Sequence, residues 1–265
     1  MTPRNAFHPM RPVPLQAVLW DVDGTLAETE RDGHRVAFNL AFARLGLPWR
    51  WDESRYVALL AVTGGRERLL HDMATQPQAP RTDGERLALA EELHRLKTHF
   101  YAERVRAGVI ALRPGVRALL DQCAARGVRQ AIATTTSRAN VEALLRAQLG
   151  PDGLGRFETL VCGEDTRRKK PDPEVYRRVL DRLGLAPVQA LAIEDSPAGC
   201  AAARAAGVPV IVTRSDCFRT AVFNDALAVG PGLDERAGWQ PAPTGAPDGS
   251  VDLDVLIGWH ARGSD

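Results

Sequence analysis

The chain has 265 residues, 45% of them hydrophobic and 25% charged, the make-up of a globular protein of one large domain or two modest ones. Its 34 basic and 33 acidic side chains leave a net charge of +1, which implies no basic face and so argues against nucleic acid as an obligate partner. No apolar run approaches the roughly 18 residues of a membrane span, and Met1 to Leu15, broken by Pro3, Pro9, Pro12 and Pro14, lacks the apolar core of a secretion signal, so a cytoplasmic protein without a membrane partner is expected.

In chain order, Leu15 to Trp20 reads as a buried first strand that ends at Asp21, with Gly24 permitting a tight turn. From about Arg31 to Gly108 the pattern turns helical. Val36, Phe38, Leu40, Phe42 and Leu45 mark the face of a helix over 34–47, stopped by Gly46 and Pro48. Shorter helices are expected over 53–62 and 66–74, a proline-containing loop over 76–83, and a long polar helix over 84–106 with Leu89, Leu93, Leu96 and Phe100 on one side. After Arg113-Pro114-Gly115 the chain alternates, with helices over 116–126, 138–149, 173–183 and 198–206 and strands over 128–133, 159–162, 190–193 and 208–212. Such alternation builds βαβ units around a parallel sheet. The all-helical block is then an insertion after the first strand, a lid over the sheet's C-terminal edge. Residues 230–250, rich in Gly and Pro, are expected to be irregular, and 251–262 a last short helix.

Two residue types are informative by their use. Cys123, Cys162, Cys200 and Cys217 show no metal-ligand spacing and read as reduced, buried thiols. Of the 34 basic residues only Lys97, Lys169 and Lys170 are lysine, so a retained lysine marks a place where a compact ammonium is wanted and a planar guanidinium would not fit.

Four short segments carry the chemistry. Asp21-Val22-Asp23-Gly24-Thr25, Thr134-Thr135-Thr136-Ser137 and Glu194-Asp195 each follow an apolar run, and Lys170-Pro171 lies in a loop. The C-terminal ends of parallel strands lie side by side, so a nucleophilic carboxylate, a hydroxyl, an ammonium and an acidic pair converge, as phosphoryl transfer through an aspartyl-phosphate with Mg²⁺ requires. On the turn, Asp21 and Asp23 divide the work: one attacks phosphorus, the other moves the proton of the leaving alcohol and then of water. A calcium loop is excluded, because its sixth and twelfth positions would be Leu26 and Asp32. Thr134 reads either as a phosphoryl donor or as a helix cap. Glu194-Asp195 reads either as a cation site or as a cap for the next helix, since adjacent buried acids repel unless a cation lies between them.

On these motifs the chain resembles the haloacid dehalogenase superfamily, and the resemblance covers most of its length. It implies a Rossmann-like α/β core over 1–30 and 108–265 with a helical cap domain over 31–107. It also implies an obligatory Mg²⁺ held by Asp21, the Asp23 backbone carbonyl, Glu194 and Asp195. Asp21 would be the nucleophile, Asp23 the general acid and base, and Thr134 and Lys170 the holders of the phosphoryl group. Further segments, including 21–30, Ala37-Phe38-Asn39, Thr63-Gly64-Gly65-Arg66-Glu67-Arg68, 93–97 and Leu112-Arg113-Pro114-Gly115, are similar to the CbbY-type phosphatases, relatives of the β-phosphoglucomutases. That similarity implies a phosphatase removing the 1-phosphate of xylulose-1,5-bisphosphate, an inhibitor of Rubisco, with a phosphosugar mutase or another small phosphometabolite as the alternatives. Glu28, Thr29, Gly64, Gly65, Arg66, Lys97, Thr136, Ser137 and Arg138 become the expected substrate contacts, and a monomer acting on a small sugar phosphate the expected enzyme. One departure stands out. Arg31-Asp32-Gly33-His34 is one residue longer than in several relatives, which puts Gly33 where the mutases place an important histidine and leaves His34 without a role.

Overall fold

The computed structural model describes residues 13–245 and 248–263; most of the stretch on which the secretion-signal reading rests lies outside them. Among the described residues six strands form one sheet: β1 (Ala17–Trp20), β2 (Arg129–Ala133), β3 (Thr159–Val161), β4 (Ala190–Glu194), β5 (Val210–Thr213) and β6 (Ala228–Gly230). All pairings are parallel, in the order β3-β2-β1-β4-β5-β6, the doubly wound Rossmann arrangement. β1, β4 and β5 are buried along their whole length, as strands with helices on both faces must be.

The helices are α1 (Arg35–Arg44), α2 (Glu53–Leu59), α3 (Gly65–Met73), α4 (Asp83–Arg106), α5 (Val116–Ala125), α6 (Arg138–Leu149), α7 (Glu174–Leu183), α8 (Pro197–Ala205) and α9 (Leu253–Arg262). One face of the sheet packs on α5, α6 and α9 through Leu120, Leu144 and Leu256. The other packs on α7 and α8 through Val179, Leu183 and Ala202. The inserted helices α1–α4 close around a third cluster, Phe38, Phe42, Trp51, Tyr56, Leu69 and Leu93, against which Cys217 and Phe218 from beyond β5 also pack. None of the described helices is long and apolar enough to cross a membrane.

The structure departs from the sequence reading in four places. The first expected helix is preceded by a π-helical turn, Glu30–His34, in which the His34 amide donates to the Thr29 carbonyl five residues back at 2.7 Å. The fully buried face of α4 is Ala90, Leu93, Lys97, Tyr101 and Val105, so of the expected stripe Leu93 lies at its centre, while Leu89, Leu96 and Phe100 pack partly buried along its edge and a lysine and a tyrosine join the inner face. β6 lies within a stretch not read as strand, where Gly230 and Pro231 end it after three residues. Cys217 is half-buried; the other three free thiols are buried as expected. The segment after β6 is largely irregular, pinned by Trp239 packing at a tilt on Trp259 of α9 with ring centroids 4.7 Å apart.

Candidate active site

The sheet register brings the motifs together. Trp20 pairs with Ile132 on one side and Ile193 on the other. The next residue of each strand therefore places Asp21 beside Glu194, and one step further Thr134 leaves β2, all at the strand ends beside the gap where the strand order reverses. Thr134 does not cap α6, whose N-cap is Ser137, and Ser196, not Glu194 or Asp195, caps α8 by accepting from the Gly199 amide at 3.0 Å. Both capping alternatives fall; Thr134 and Asp195 line the cleft, and Glu194 is fully buried.

Lys170 Nζ donates to Asp21 Oδ1 and Glu194 Oε1, each at 2.6 Å, while the Tyr176 hydroxyl donates to the same Glu194 oxygen. Asp21, Glu194 and Asp195 are buried, and carboxylate oxygens of all three lie within 4.8 Å of one another. Three carboxylates against one ammonium leave two uncompensated negative charges in a buried place. Burial pushes Asp21 up to about 7 despite the lysine, and raises Asp195 well above the carboxylate range. Glu194 Oε2 is buried with no hydrogen-bond partner among the described residues. One divalent cation among hard oxygen donors would answer both the charge excess and the orphaned atom. Two glycines shape the cluster: a Cβ on Gly24, whose φ is +81°, would collide with the Asp195 carboxylate, and one on Gly199 would collide with that of Glu194.

Asp23 is held differently. Its Oδ1 accepts from the Thr29 hydroxyl at 2.6 Å and lies 2.8 Å from His34 Nε2. Burial alone would raise Asp23, but His34 and Thr29 outweigh it and hold the carboxyl well below the usual range. The His34 ring stacks on Tyr101 at 4.3 Å, and a Cβ on Gly33 would press on that tyrosine at 3.1 Å. The extra residue before α1 is thus absorbed by the π turn, which returns His34 to Asp23. Spacing counted along an ordinary helix hides this contact.

Around these groups runs a cleft. A cavity of about 450 Å³ is lined by Asp21, Asp23, Thr134 and Lys170, with Thr63, Arg68 and Phe218 opposite. A neck of about 40 Å³ passes Glu30, Gly64, Gly65, Lys97 and Thr136. Beyond it lies a second cavity of about 370 Å³ between Gly65, Arg66 and His94 on one side and Ser137, Glu164 and Lys169 on the other. The three lysines of the chain therefore stand one in each compartment. Lys97 is buried over the rings of Phe38 and Tyr101, each at 5.3 Å, and burial lowers it to about 8. Ser137 Oγ is buried without a partner among the described residues.

Two expected substrate contacts are committed elsewhere. Glu28 faces Arg113 at 3.4 Å and accepts from the Asp216 amide, while its neighbour Glu30 lines the cleft. The Arg138 guanidinium is drawn to Asp165 at 2.8 Å and to the Leu160 carbonyl at 3.1 Å. Thr29 enters as a partner of Asp23. Arg68 was not singled out from the sequence; it is buried, donates to the Tyr56 hydroxyl at 3.0 Å, and Tyr56 in turn donates to Glu30 at 2.5 Å.

A parallel 3-2-1-4-5-6 sheet with a nucleophile-bearing turn after its first strand, a buried lysine and a cation-ready acid pair defines a class. The chain belongs to the haloacid dehalogenase-like hydrolases, whose family model matches residues 15–207. Within that family it is 45% identical over 250 residues to the plasmid CbbY protein of Cupriavidus necator, covering 93% of this chain and 97% of that protein. A crystal structure of a CbbY variant from Rhodobacter sphaeroides in complex with xylulose-1,5-bisphosphate superposes with a TM-score of 0.75 at 41% identity, over 80% of this chain and 92% of that one. The phosphoglycolate phosphatase of Rhodospirillum rubrum is 34% identical over 82% of this chain and 90% of that protein. The chain is an enzyme, a phosphatase of this family.

Proposed function

We propose that this phosphatase removes the 1-phosphate of a small sugar bisphosphate, xylulose-1,5-bisphosphate foremost, through a phosphoaspartate on Asp21 with Mg²⁺ as cofactor. The observation that carries the reading is the two-ended cleft. Asp21, Thr134 and Lys170 stand at one end, and the other offers Arg66, Ser137, whose hydroxyl has no partner among the described residues, and Lys169, which also donates to the Gly163 and Thr166 carbonyls, beside the acids Glu67 and Glu164, with Lys97 in the neck between. A substrate with a phosphate at each end uses both; a monophosphate leaves one idle. The similarity to CbbY, solved with such a bisphosphate, supports the same substrate class. The physiological role that goes with it is metabolite repair beside the Calvin cycle.

Residues 31–107 act as a cap over the core of 1–30 and 108–265. The Thr63 hydroxyl donates to the Lys170 carbonyl at 2.5 Å, the contact of a closed cap. Binding energy from the distal phosphate holds that closure and excludes bulk water from the reacting end. An Asp21 oxygen forms a bond to phosphorus as the phosphorus–sugar oxygen bond breaks. Lys170 offsets the negative charge of carboxylate and phosphate, and the Thr134 hydroxyl donates to a phosphoryl oxygen. The incoming dianion raises Asp23, which His34 and Thr29 otherwise hold ionised, so that it carries a proton to the leaving oxygen and then accepts one from the attacking water. Asp21, the Asp23 carbonyl, Glu194 and Asp195 would hold Mg²⁺, which when bound neutralises charge gathered on the carboxylates and the phosphoryl group.

The test is phosphate release with Mg²⁺ from xylulose-1,5-bisphosphate, ribulose-1,5-bisphosphate and β-glucose-1-phosphate, with Asp21→Asn as the blank. Strong preference for the first and an inert Asp21→Asn enzyme are expected; an active Asp21→Asn enzyme would sink the mechanism. The Asp23–His34 contact favours one alternative, a mutase outcome on the same scaffold. Conversion of β-glucose-1-phosphate to glucose-6-phosphate with little free phosphate would establish it.

A further inference from the structure

Arg113 stands just after the second of the two linkers that join α1–α4 to the sheet. Its side chain is 11% exposed; both terminal nitrogens donate hydrogen bonds and Nε faces a carboxylate. Nη2 donates to the carbonyls of Arg214 at 2.7 Å and Pro231 at 2.9 Å, fastening the side chain to the loops after β5 and β6. Nη1 donates to Thr213 Oγ1 at 3.0 Å and to the Gly24 carbonyl, and Nε faces Glu28 at 3.4 Å. Gly24 follows Asp23, and Glu28 precedes Thr29, whose hydroxyl holds Asp23. Both ends of the turn that presents Asp23 are therefore gripped by one planar group. The middle is gripped by the same residue's backbone, whose amide donates to the Leu26 carbonyl at 2.8 Å, beside the bridge between Ala27 and Leu112.

We propose that Arg113, through Gly24 and Glu28, is a positioning residue that sets Asp23 against the reacting phosphate and fixes the junction of the two cap linkers. A fork of five donors in one plane spans these acceptors; a single ammonium reaches only some of them. The inference rests on the phosphatase reading above and assigns Glu28 to the junction in place of the substrate.

The experiment compares wild type, Arg113→Met and Arg113→Lys by steady-state phosphate release and by amide hydrogen exchange. Arg113→Met keeps the apolar stem and removes the fork. Misplacing a reacting group by about 1 Å costs up to roughly 100-fold in rate, so kcat is expected to fall at least about tenfold with KM within about threefold. Partial recovery is expected in Arg113→Lys. Exchange is expected to quicken in residues 24–28 while the amides of β1 and β4 keep wild-type rates. Wild-type kcat in Arg113→Met, or exchange that quickens equally throughout the sheet, would overturn the assignment and leave only a stabilising role. A wild-type enzyme inert toward every sugar phosphate would instead remove the functional reading, while the exchange comparison still decides whether Arg113 holds the turn.

Discussion

Asp21 and Asp23 are two residues apart, the first buried and the second half-buried, yet their environments push them in opposite directions. Asp21 shares one ammonium with Glu194 and has Asp195 close by as a third acid, whereas Asp23 has an imidazole and a hydroxyl to itself. Separating two carboxyl groups in this way lets one serve as nucleophile and the other as proton carrier. Lys97 is tuned by burial in the same manner, and the proton it loses near pH 8 makes it a reporter. Its charged form favours a phosphate dianion, so kcat/KM for a bisphosphate should fall as pH rises through about 8. In Lys97→Met that decline should vanish, with the loss on bisphosphates much larger than on the matching monophosphates. Equal losses on both classes in a side-by-side KM determination would remove Lys97 from the distal end.

At the scale of elements, the π turn Glu30–His34 does more than accommodate an inserted residue. It aims His34 at Asp23 and requires Gly33 to lie against Tyr101 and Ile110, with a Cβ 3.0 Å from the isoleucine. Gly33→Ala overpacks this contact and should cost about 1–3 kcal/mol, read as a lower urea midpoint with unchanged m-value. It should also slow turnover, because the displaced tyrosine carries the histidine. Most elements were legible beforehand, since a buried parallel strand is an apolar run and its last residue falls at the functional edge. The ends of β1, β2 and β4 thus carry the chemistry in the sequence itself. What escaped had physical reasons. His34 was masked by a change of helical hydrogen bonding that no periodicity shows. Glu28 and Glu30 stand in the same motif, and only the third dimension tells which faces the cleft. Tyr101 was hidden because the inner face of α4 runs through a lysine. Thr82 with Glu85 forms a reciprocal cap at the start of α4; the expected loop over 76–83 holds Thr82 and the expected helix over 84–106 holds Glu85, so the cap spans the boundary and sets the start at Asp83.

Taken whole, the molecule joins a sheet covered on both faces to a helical layer that shares its core through Tyr101, Val105 and Ile110. Within that layer burial lowers His94 to about 4, with Lys97, His34 and Arg66 adding to the effect. The unfolded chain binds a proton there below about pH 6.5, and the folded one does so only near pH 4, so stability is lost as pH falls through that window. His94→Gln should flatten this part of the acid limb in urea titrations at pH 7 and 5; an identical loss in both proteins would refute the assignment.

The distribution of lysine has a last consequence. Every ε-amine of the chain borders the cleft, Lys97 and Lys170 buried and Lys169 half-buried, while 31 arginines cover the remaining cationic positions. To an electrophile that seeks primary amines, the α-amino group aside, the exterior is nearly silent. Acylating agents and the open-chain aldehydes and ketones of sugars meet reactive nitrogen only where a substrate would already be seated, so occupancy of the cleft and protection from such adducts become one and the same measurement.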